Sequence, residues 1–499
     1  MNSKTQKYIP VDIKLKTKPV DNPFYVELKG IFYGPDGQTI AVPGFYAGGN
    51  NYLIRFSPTS TGIWTYTTAS PLIELDSVQG SVECTPGNLH GGIVVDKNNQ
   101  HHFRYEDGTP YFMMAYEADW LWAPGLGDVN ITKIKEFIAS IKPYGFNCVI
   151  VNSYAYDTPW APSKTSDKDY GPPPACMWEG TNEAPNFDRF NLEYFLNFDR
   201  MISHLMNEGV VVHLLIKVYN KSVNWPKKYT KEDDLLFKYI VSRYQAYPNI
   251  IWDYSKETYY EPDKDYIKNR INLIRSLDGY HRLITVHDDP LFYSRSIYSR
   301  GLDFYTAQQH GDIYASAIIE RQIHSWPVFN AEFSYESGGP KDTEVLPVTR
   351  CHTAEEVIAK MYEVVMAGAY PAYYYTCTAW DIFDYRYTPP GYRYVKIIYD
   401  FFTSMEWWRL KPHIELCDGN NTANRNGILR CLADPGRDYL FYTTPKTRGI
   451  YRVETRKGME MVWMNIHTGE KKKQEYPLPL YNVSPFTEAP SILHIIYNP

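Results

Sequence analysis

The stretch NIIWDYSKE, Asn249 to Glu257, begins as a buried β-strand and closes on a lysine and a glutamate. Charges at the end of an apolar strand are expected where that end faces a site rather than the core. Seven other runs share the design: PYFMMAYEADWLW, GFNCVIVNSY, GVVVHLLIKVY, HRLITVHDD, GLDFYTAQQHG, WPVFNAEFSYE and YPAYYYTCTAWD. Each follows a turn signal, runs through apolar or aromatic residues and ends in polar ones. Between several of them lie amphipathic stretches. Ile131, Ile134, Phe137, Ile138 and Ile141 recur at helical spacing, as do Ile267, Ile271 and Ile274, and Val357, Ile358, Met361 and Val365. Continuous apolar strands alternating with helices predict a parallel sheet buried on both faces. Eight such units over residues 91–410 predict an α/β fold, a (β/α)₈ TIM barrel with loop insertions. A doubly wound open sheet is the alternative. It lacks support because APGLGDVN offers only Gly125 and Gly127 where a phosphate-binding loop would need more.

The flanks have a different period. Residues 1–90 hold short alternating stretches with Pro-Asp-Gly and Gly-Gly-Asn-Asn turns and no helical repeat, which predicts an Ig-like β-sandwich. Residues 411–499 alternate strands with Asp-Pro-Gly, Arg-Gly and His-Thr-Gly turns, which predicts a second sandwich. No low-complexity linker separates the three parts, so they are expected to pack together.

Composition narrows the functional classes. The net charge of -6 and the scattered Lys and Arg argue against nucleic acid as a partner. No apolar run is long enough to span a bilayer, so no membrane partner is expected. The first twenty residues carry no apolar signal region, and seven cysteines without a Cys-x-x-Cys pair read as reduced thiols. A cytoplasmic location is the expectation, with secretion as the alternative if a leader has been removed. Forty-five tyrosines and twelve tryptophans supply flat apolar faces with polar edges, suited to cores and to sugar-binding clefts alike.

In a barrel of this kind, chemistry sits where strands end. Those ends carry Glu117, Asp119, Trp120 and Trp122; Asn152 and Tyr154; Lys217 and Tyr219; Lys256 and Glu257; His287, Asp288 and Asp289; Gln308, Gln309 and His310; Glu332; and Trp380 and Asp381. The mouth is rich in carboxylates and aromatics and poor in histidine. Two carboxylates across a cleft suit hydrolysis of a glycosidic bond, one protonating the leaving oxygen and the other attacking the anomeric carbon or activating water.

With those residues in place, a family resemblance applies. PNIIWDYSKE resembles the fourth-strand signature of the large clan of (β/α)₈ retaining glycoside hydrolases, and PVFNAEF resembles its seventh-strand nucleophile motif. FRYEDGTPYFMMAYEADWLW is similar to the opening hairpin and first strand of glycoside-hydrolase-like proteins ordered sandwich, barrel, sandwich, whose N-terminal sandwich has no known role. The resemblance covers all three zones. It implies a retaining hydrolase of oligo- or polysaccharides, with Glu257 as acid/base, Glu332 as nucleophile and Trp380 as the aromatic floor. One position departs from the clan, which usually has an asparagine before the acid/base to hold the substrate's 2-hydroxyl. Here that position is Lys256.

Asp119, Trp120, Asn152, Lys217, Lys256, His287, Asp288, Gln309 and His310 complete the expected substrate-binding set, with a structural role as the alternative for each. Tryptophans 120, 122, 160 and 178 also suit core or loop packing. His101 and His102 read as a solvated pair and Lys471–Lys473 as an exposed hairpin tip. No cluster has metal-ligand spacing and Gly-x-Ser-x-Gly is absent, so neither metal nor cofactor is expected. Lys256 is expected to turn to another carboxylate or to reach a hydroxyl or an anionic group of the substrate, with Lys217 adding charge nearby. Two other functions remain open. One is a carbohydrate-binding protein on a barrel whose catalysis has lapsed. The other is a lyase of acidic sugars using Lys256, His310 or a tyrosine as base.

Overall fold

All seven residues of the strand Ile250–Lys256 are buried. Cover on both faces is the environment of a parallel sheet wrapped in helices. A computed structural model describes residues 2–158, 168–289, 301–338, 351–418 and 427–497 and contains such a sheet. Its parallel segments are β1 (Ala115–Glu117), β2 (Cys148–Asn152), β3 (Val211–Val218), β4 (Ile250–Lys256), β5 (Ile284–Thr285), β6 (His287–Asp288), β7 (Tyr305–Gln308), β8 (Val328–Glu332) and β9 (Tyr370–Tyr373). They lie in the order β5-β4-β3-β2-β1-β9-β8-β7-β6. β1 pairs with β2 on one side and with β9 on the other, so the first and last segments of the run are neighbours. The two outermost segments, β5 and β6, are separated in the chain by Val286 alone. The sheet is a nearly closed parallel barrel, consistent with the TIM type, and an open doubly wound sheet is excluded.

Asp253, in the middle of the opening stretch, accounts for the break at Val286. β5 pairs with β4 through Trp252 with Ile284 and Asp253 with Thr285. The next ladder donor on that side, the His287 N–H, bonds instead to the Asp253 side chain at 3.1 Å. The same carboxylate takes the Ser255 N–H at 3.0 Å and His213 Nε2 at 2.8 Å, all within the barrel. The chain then turns to pair with β7. An aspartate buried in a strand would be unfavourable alone, and these three partners satisfy it.

Seven α-helices among the described residues surround the sheet: α1 (Thr132–Ile141), α2 (Leu192–Asn207), α3 (Lys231–Tyr244), α4 (Lys264–Leu277), α5 (Ile313–Ile323), α6 (Ala354–Met366) and α7 (Gly391–Thr403). The predicted apolar stripes are their buried faces: Ile134, Phe137, Ile138 and Ile141 in α1; Ile267, Ile271 and Ile274 in α4; Val357, Ile358, Met361 and Val365 in α6. Local chemistry fixes the starts. Asn191, Thr230 and Asp263 cap α2, α3 and α4 with side-chain oxygens, and Thr353 with Glu356 forms a reciprocal capping box on α6. None of the helices among the described residues is long and apolar enough to cross a membrane.

At the N-terminal end, a five-stranded sheet (Asn2–Gln6, Gln79–Thr85, Gly62–Ala69, Lys29–Tyr33, Thr39–Pro43) faces a three-stranded one (Val11–Lys16, Asn51–Phe56, Phe45–Gly48). Phe32 of the first stacks on Phe56 of the second at 3.8 Å, and Trp64, Ile54 and Val82 fill the same core. Both predicted turns fall between strands. At the C-terminal end a six-stranded and a three-stranded sheet enclose Cys431, Phe441, Trp463 and Leu493. There the Arg448–Gly449 pair is not a turn but the start of the strand Arg448–Tyr451. The turn lies earlier, through Lys446 at φ 61°. A Cβ on Gly449 would lie 2.4 Å from Leu429 Cδ2, so close packing explains the glycine. Lys471–Lys473 is an exposed edge strand, not a hairpin tip, and charged side chains there block pairing with another sheet. His101 and His102 are not a solvated pair: His101 is half-buried and His102 buried. His101 Nδ1 bonds to the Trp326 carbonyl at 2.9 Å, and buried His102 meets the Tyr370 hydroxyl at 2.8 Å.

The N-terminal sheets are fixed to the barrel by charge as well as by apolar contact. Arg55, 5% exposed, binds Asp12 of its own sheet through two nitrogens, Asp199 of α2 at 3.2 Å and the Arg243 carbonyl of α3 at 3.0 Å. Arg243 holds Asp199 from the other side at 2.7 and 2.9 Å. Removing one partner of such a buried set leaves uncompensated charge. Arg55→Ala should therefore lower stability by about 3 kcal/mol, read as an earlier first transition in urea unfolding.

Candidate active site

Lys256 ends β4 with its side chain in the barrel mouth, 1% exposed. Its ammonium donates to Glu117 Oε1 at the end of β1 and to Asp119 Oδ2 two residues on, the latter at 2.7 Å. It also lies 3.4 Å from Glu332 Oε2 at the end of β8 and 5.6 Å from the centre of the Tyr374 ring. Burial works against this ammonium, and Asp119, Glu117 and Glu332 more than offset it, so it remains charged.

The two glutamates at the mouth occupy opposite environments. Burial pushes the Glu257 carboxyl up to about 7; Lys221 and Lys256 draw it down while Glu332 and Asp119 push it further up. Burial would raise Glu332 too, but the Lys256 ammonium above all, with the Tyr335 hydroxyl, holds it down at about 2. Glu332 Oε1 accepts hydrogen bonds from Tyr335 and from Gln308 Nε2, the latter at 3.1 Å. Its Oε2, like Glu257 Oε2, is buried without a hydrogen bond. Strict alternation would keep Lys256 and Glu257 on opposite faces. Glu257 escapes it by leaving the extended region for the left-handed one, at φ 55° and ψ 48°. Four carboxyl groups and two lysines, Lys256 and Lys221, thus share one buried volume. Burial raises the Glu117 carboxyl well above the usual range, with Glu332 and Asp119 adding to the effect.

Other expected residues separate into those that reach this cluster and those that do not. Asp119 does. His287 lies 3.8 Å from Glu332 Oε2 and is held neutral by burial, which lowers it to about 3. His310 packs edge-on to Tyr335 at 5.9 Å. Trp380, 6% exposed, meets Tyr335 at 5.4 Å and Tyr374 at 5.8 Å. Asn152 ends β2 with both amide atoms buried and without hydrogen bonds.

Lys217 does not reach the cluster. It bonds to the Tyr266 hydroxyl of α4 at 3.2 Å and lies 3.9 Å from Asp233 of α3, so it faces the helix layer. Trp120 is fully buried against Trp122 at 5.5 Å and packs as core; Trp122 and Trp178 are buried too, and Trp160 lies outside the described residues. Asp288 follows His287 on the opposite side of its strand, where its charge acts on Lys264 at the start of α4. Gln309 turns its side-chain oxygen to the Gly311 N–H at 3.1 Å, and the neighbouring Gln308 is the one that reaches Glu332. Tyr335, Tyr374 and Lys221 reach the cluster without having been among the strand-end residues, and Gln308, named at a strand end, was not in the expected substrate-binding set. Glu336, close to Glu332 in sequence, instead accepts the Tyr373 hydroxyl at 2.5 Å and the Gly391 N–H at the start of α7. Among the described residues no group of three or more His, Cys, Asp or Glu is placed to hold a metal ion.

This constellation lies within residues 97–409, which match the family model described as apiosidase-like, catalytic domain. The chain belongs to that family. It is a glycoside hydrolase, with a clan-A-like barrel. Residues 4–71 match a domain family of unknown function, DUF5060. Among solved structures, a candidate glycoside hydrolase from Bacteroides vulgatus ATCC 8482 is similar over 99% of both chains, with 19% identity and a TM-score of 0.78. A family 5 glycoside hydrolase from the same organism is similar over 82% of this chain and 94% of its own, with 16% identity and a TM-score of 0.61. Identities this low establish a shared fold. No functionally curated protein matches the chain.

Tyr335→Phe removes a hydrogen bond to Glu332 Oε1 with little change in shape. It should lower kcat/KM for a glycoside roughly tenfold or more, with an unchanged thermal midpoint. The two readouts together separate a site effect from a folding effect.

Proposed function

We propose that this glycoside hydrolase is a retaining enzyme in which Glu332 attacks the anomeric carbon and Glu257 first gives and then recovers the proton. The barrel is read as (β/α)₈, with β5 and β6 as one strand interrupted at Val286. Residues 91–410 form the catalytic unit, and the sandwiches at 1–90 and 411–499 act as scaffolds packed against it. The observation that carries the reading is geometric: Glu332 lies against the Lys256 ammonium at 3.4 Å and takes the Tyr335 and Gln308 hydrogen bonds, while Glu257 is buried in the same mouth, surroundings that favour the ionised form of the first and the protonated form of the second. A general acid must hold its proton near neutral pH, and a nucleophile must not. Glu257, at about 7, and Glu332, at about 2, meet those demands within one mouth.

The same charges favour a neutral sugar. Lys256 is engaged by the carboxyl groups of Glu117, Asp119 and Glu332 and Lys217 faces the helices, so neither is placed to receive a uronic acid or a sulfate. Asn152, Asp119 Oδ1 and Glu117 Oε2 are buried without hydrogen bonds, and their acceptors suit the hydroxyls of a neutral sugar. A lyase using Lys256 as base is disfavoured because that ammonium is held charged by its neighbours. The family's description makes apiosides the first substrates to assay, beside a panel of neutral and uronic-acid aryl glycosides.

Glu332→Ala should abolish turnover on every glycoside, because no glycosyl-enzyme can form. Glu257→Ala should keep activity on substrates whose leaving groups need no protonation and lose it on natural linkages. Wild-type activity in both variants would end this assignment. The carboxyl groups should lie about 5–5.5 Å apart in a ligand-bound crystal structure.

The pH dependence has a definite sign. The reaction requires Glu257 protonated, so kcat/KM should fall as pH rises through about 7. It requires Glu332 ionised, and that limb lies far lower, towards about 2. A plateau extending unchanged to pH 9 would contradict the assignment of Glu257.

A further inference from the structure

We propose that Lys256 sets the balance between the two half-reactions by making Glu332 a better leaving group than nucleophile, so that the glycosyl-enzyme does not accumulate. The inference rests on Glu332 being the nucleophile and concerns a lysine that stands where the clan's pattern has asparagine.

The oxygens of Glu332 are not equivalent. Oε1 is occupied by Tyr335 and Gln308. Oε2 accepts no hydrogen bond, so it is the oxygen left to attack, and the Lys256 ammonium lies 3.4 Å from it. In the first half-reaction Oε2 bonds to the anomeric carbon as the glycosidic C–O bond breaks. The electron pair of that bond stays on the leaving oxygen, which takes the Glu257 proton. Glu332 loses its negative charge in this step, and with it the attraction of the ammonium, so Lys256 opposes attack. In the second half-reaction water bonds to the anomeric carbon and yields a proton to Glu257, while the ester C–O bond returns its pair to Oε2. Negative charge is then restored 3.4 Å from the ammonium, and Lys256 favours the step.

Lys256 can play this part because it is not consumed. Glu117 and Asp119 hold it at the bottom of the mouth through both steps, and burial limits the screening of its charge. It touches Glu332, one of the reacting groups. A merely structural lysine would hold β1, β4 and β8 together and affect both half-reactions alike.

The test uses the full-length protein and a 2,4-dinitrophenyl glycoside that it hydrolyses. With this leaving group kcat/KM reports attack by Glu332, and kcat reports the slower step, which is attack when no ester accumulates and breakdown of the ester when one does. The wild type should release dinitrophenol linearly from the first turnover. Lys256→Met should show a burst approaching one equivalent per site, and kcat should fall roughly tenfold or more. Its kcat/KM, read at a pH where Glu332 is ionised in both proteins, should rise above that of the wild type, since the ammonium that opposes attack is gone. Lys256→Gln, which keeps an N–H donor for Glu117 and Asp119 without the charge, carries the same test if Lys256→Met fails to fold. A parallel fall of kcat and kcat/KM with no burst, or a wild-type burst that Lys256→Met leaves unchanged, overturns the proposal. The Glu332→Ala variant is read separately: its retained activity would refute the nucleophile assignment itself, whatever Lys256→Met does.

Discussion

One buried ammonium holds the barrel mouth together. Lys256 draws carboxylates from the ends of β1 and β8 to the end of β4 in a volume from which water is largely excluded. Taken singly, each of these charges would be strongly unfavourable there, and together they are tolerable because each has an opposite neighbour at contact distance. The residues are therefore interdependent: Glu117, Asp119 and Glu332 need the lysine, and the lysine needs at least two of them. The arrangement also decides which glutamate is ionised. Glu332 has the ammonium, a tyrosine hydroxyl and an amide around it, whereas Glu257 has mainly burial. One sequence departure thus places an ammonium against one of the two glutamates and leaves the other mainly to burial.

The barrel was legible because its signal is periodic. Eight apolar runs and the stripes of α1, α4 and α6 repeat at spacings that only strands and helices share. What escaped periodicity was decided by single side chains. The division between β5 and β6 depends on Asp253 taking the His287 N–H, a bond that no hydropathy pattern records. Arg448 and Gly449 read as a turn from composition, yet the glycine serves close packing against Leu429 inside a strand. His101 and His102 read as solvated because two histidines are polar, but the fold supplies a carbonyl and a tyrosine hydroxyl to receive them.

The gathering of the candidate residues was legible to the level of strand ends and no further. That rule finds Glu257, Glu332, Asp119, Lys256, His287 and His310, because a barrel puts its strand ends in one place. It does not by itself say which side of the strand a residue takes. Lys217 and Asp288 turn to the helices, and Gln308 replaces Gln309 for that reason. Lys221 lies in the loop after β3, where no period operates, and its neighbourhood with Glu257 appears only in three dimensions. Trp120 follows Asp119 directly, yet its bulk is spent on Trp122 within the core.

Two non-glycine residues at the mouth, Glu257 and Trp380, have left-handed backbones, at φ 55° and 56°. Such a conformation is unfavourable by about 1–2 kcal/mol for a residue with a Cβ, and glycine would relieve it while deleting the side chain. The strain at Glu257 has a geometric reason. Consecutive residues of an extended strand cannot both address one side of a sheet, and here Lys256 must reach Glu332 while Glu257 serves the same mouth. Turning the backbone at Glu257 is what lets an acid and an ammonium in direct succession act in one site. At Trp380 the same turn leaves the N–H to the Tyr374 hydroxyl at 3.2 Å and lays the indole against Tyr335, the residue that bonds to Glu332. Backbone strain at functional positions persists where the surroundings over-determine it. In this barrel the surroundings are the charges gathered by Lys256 and the aromatic wall behind them.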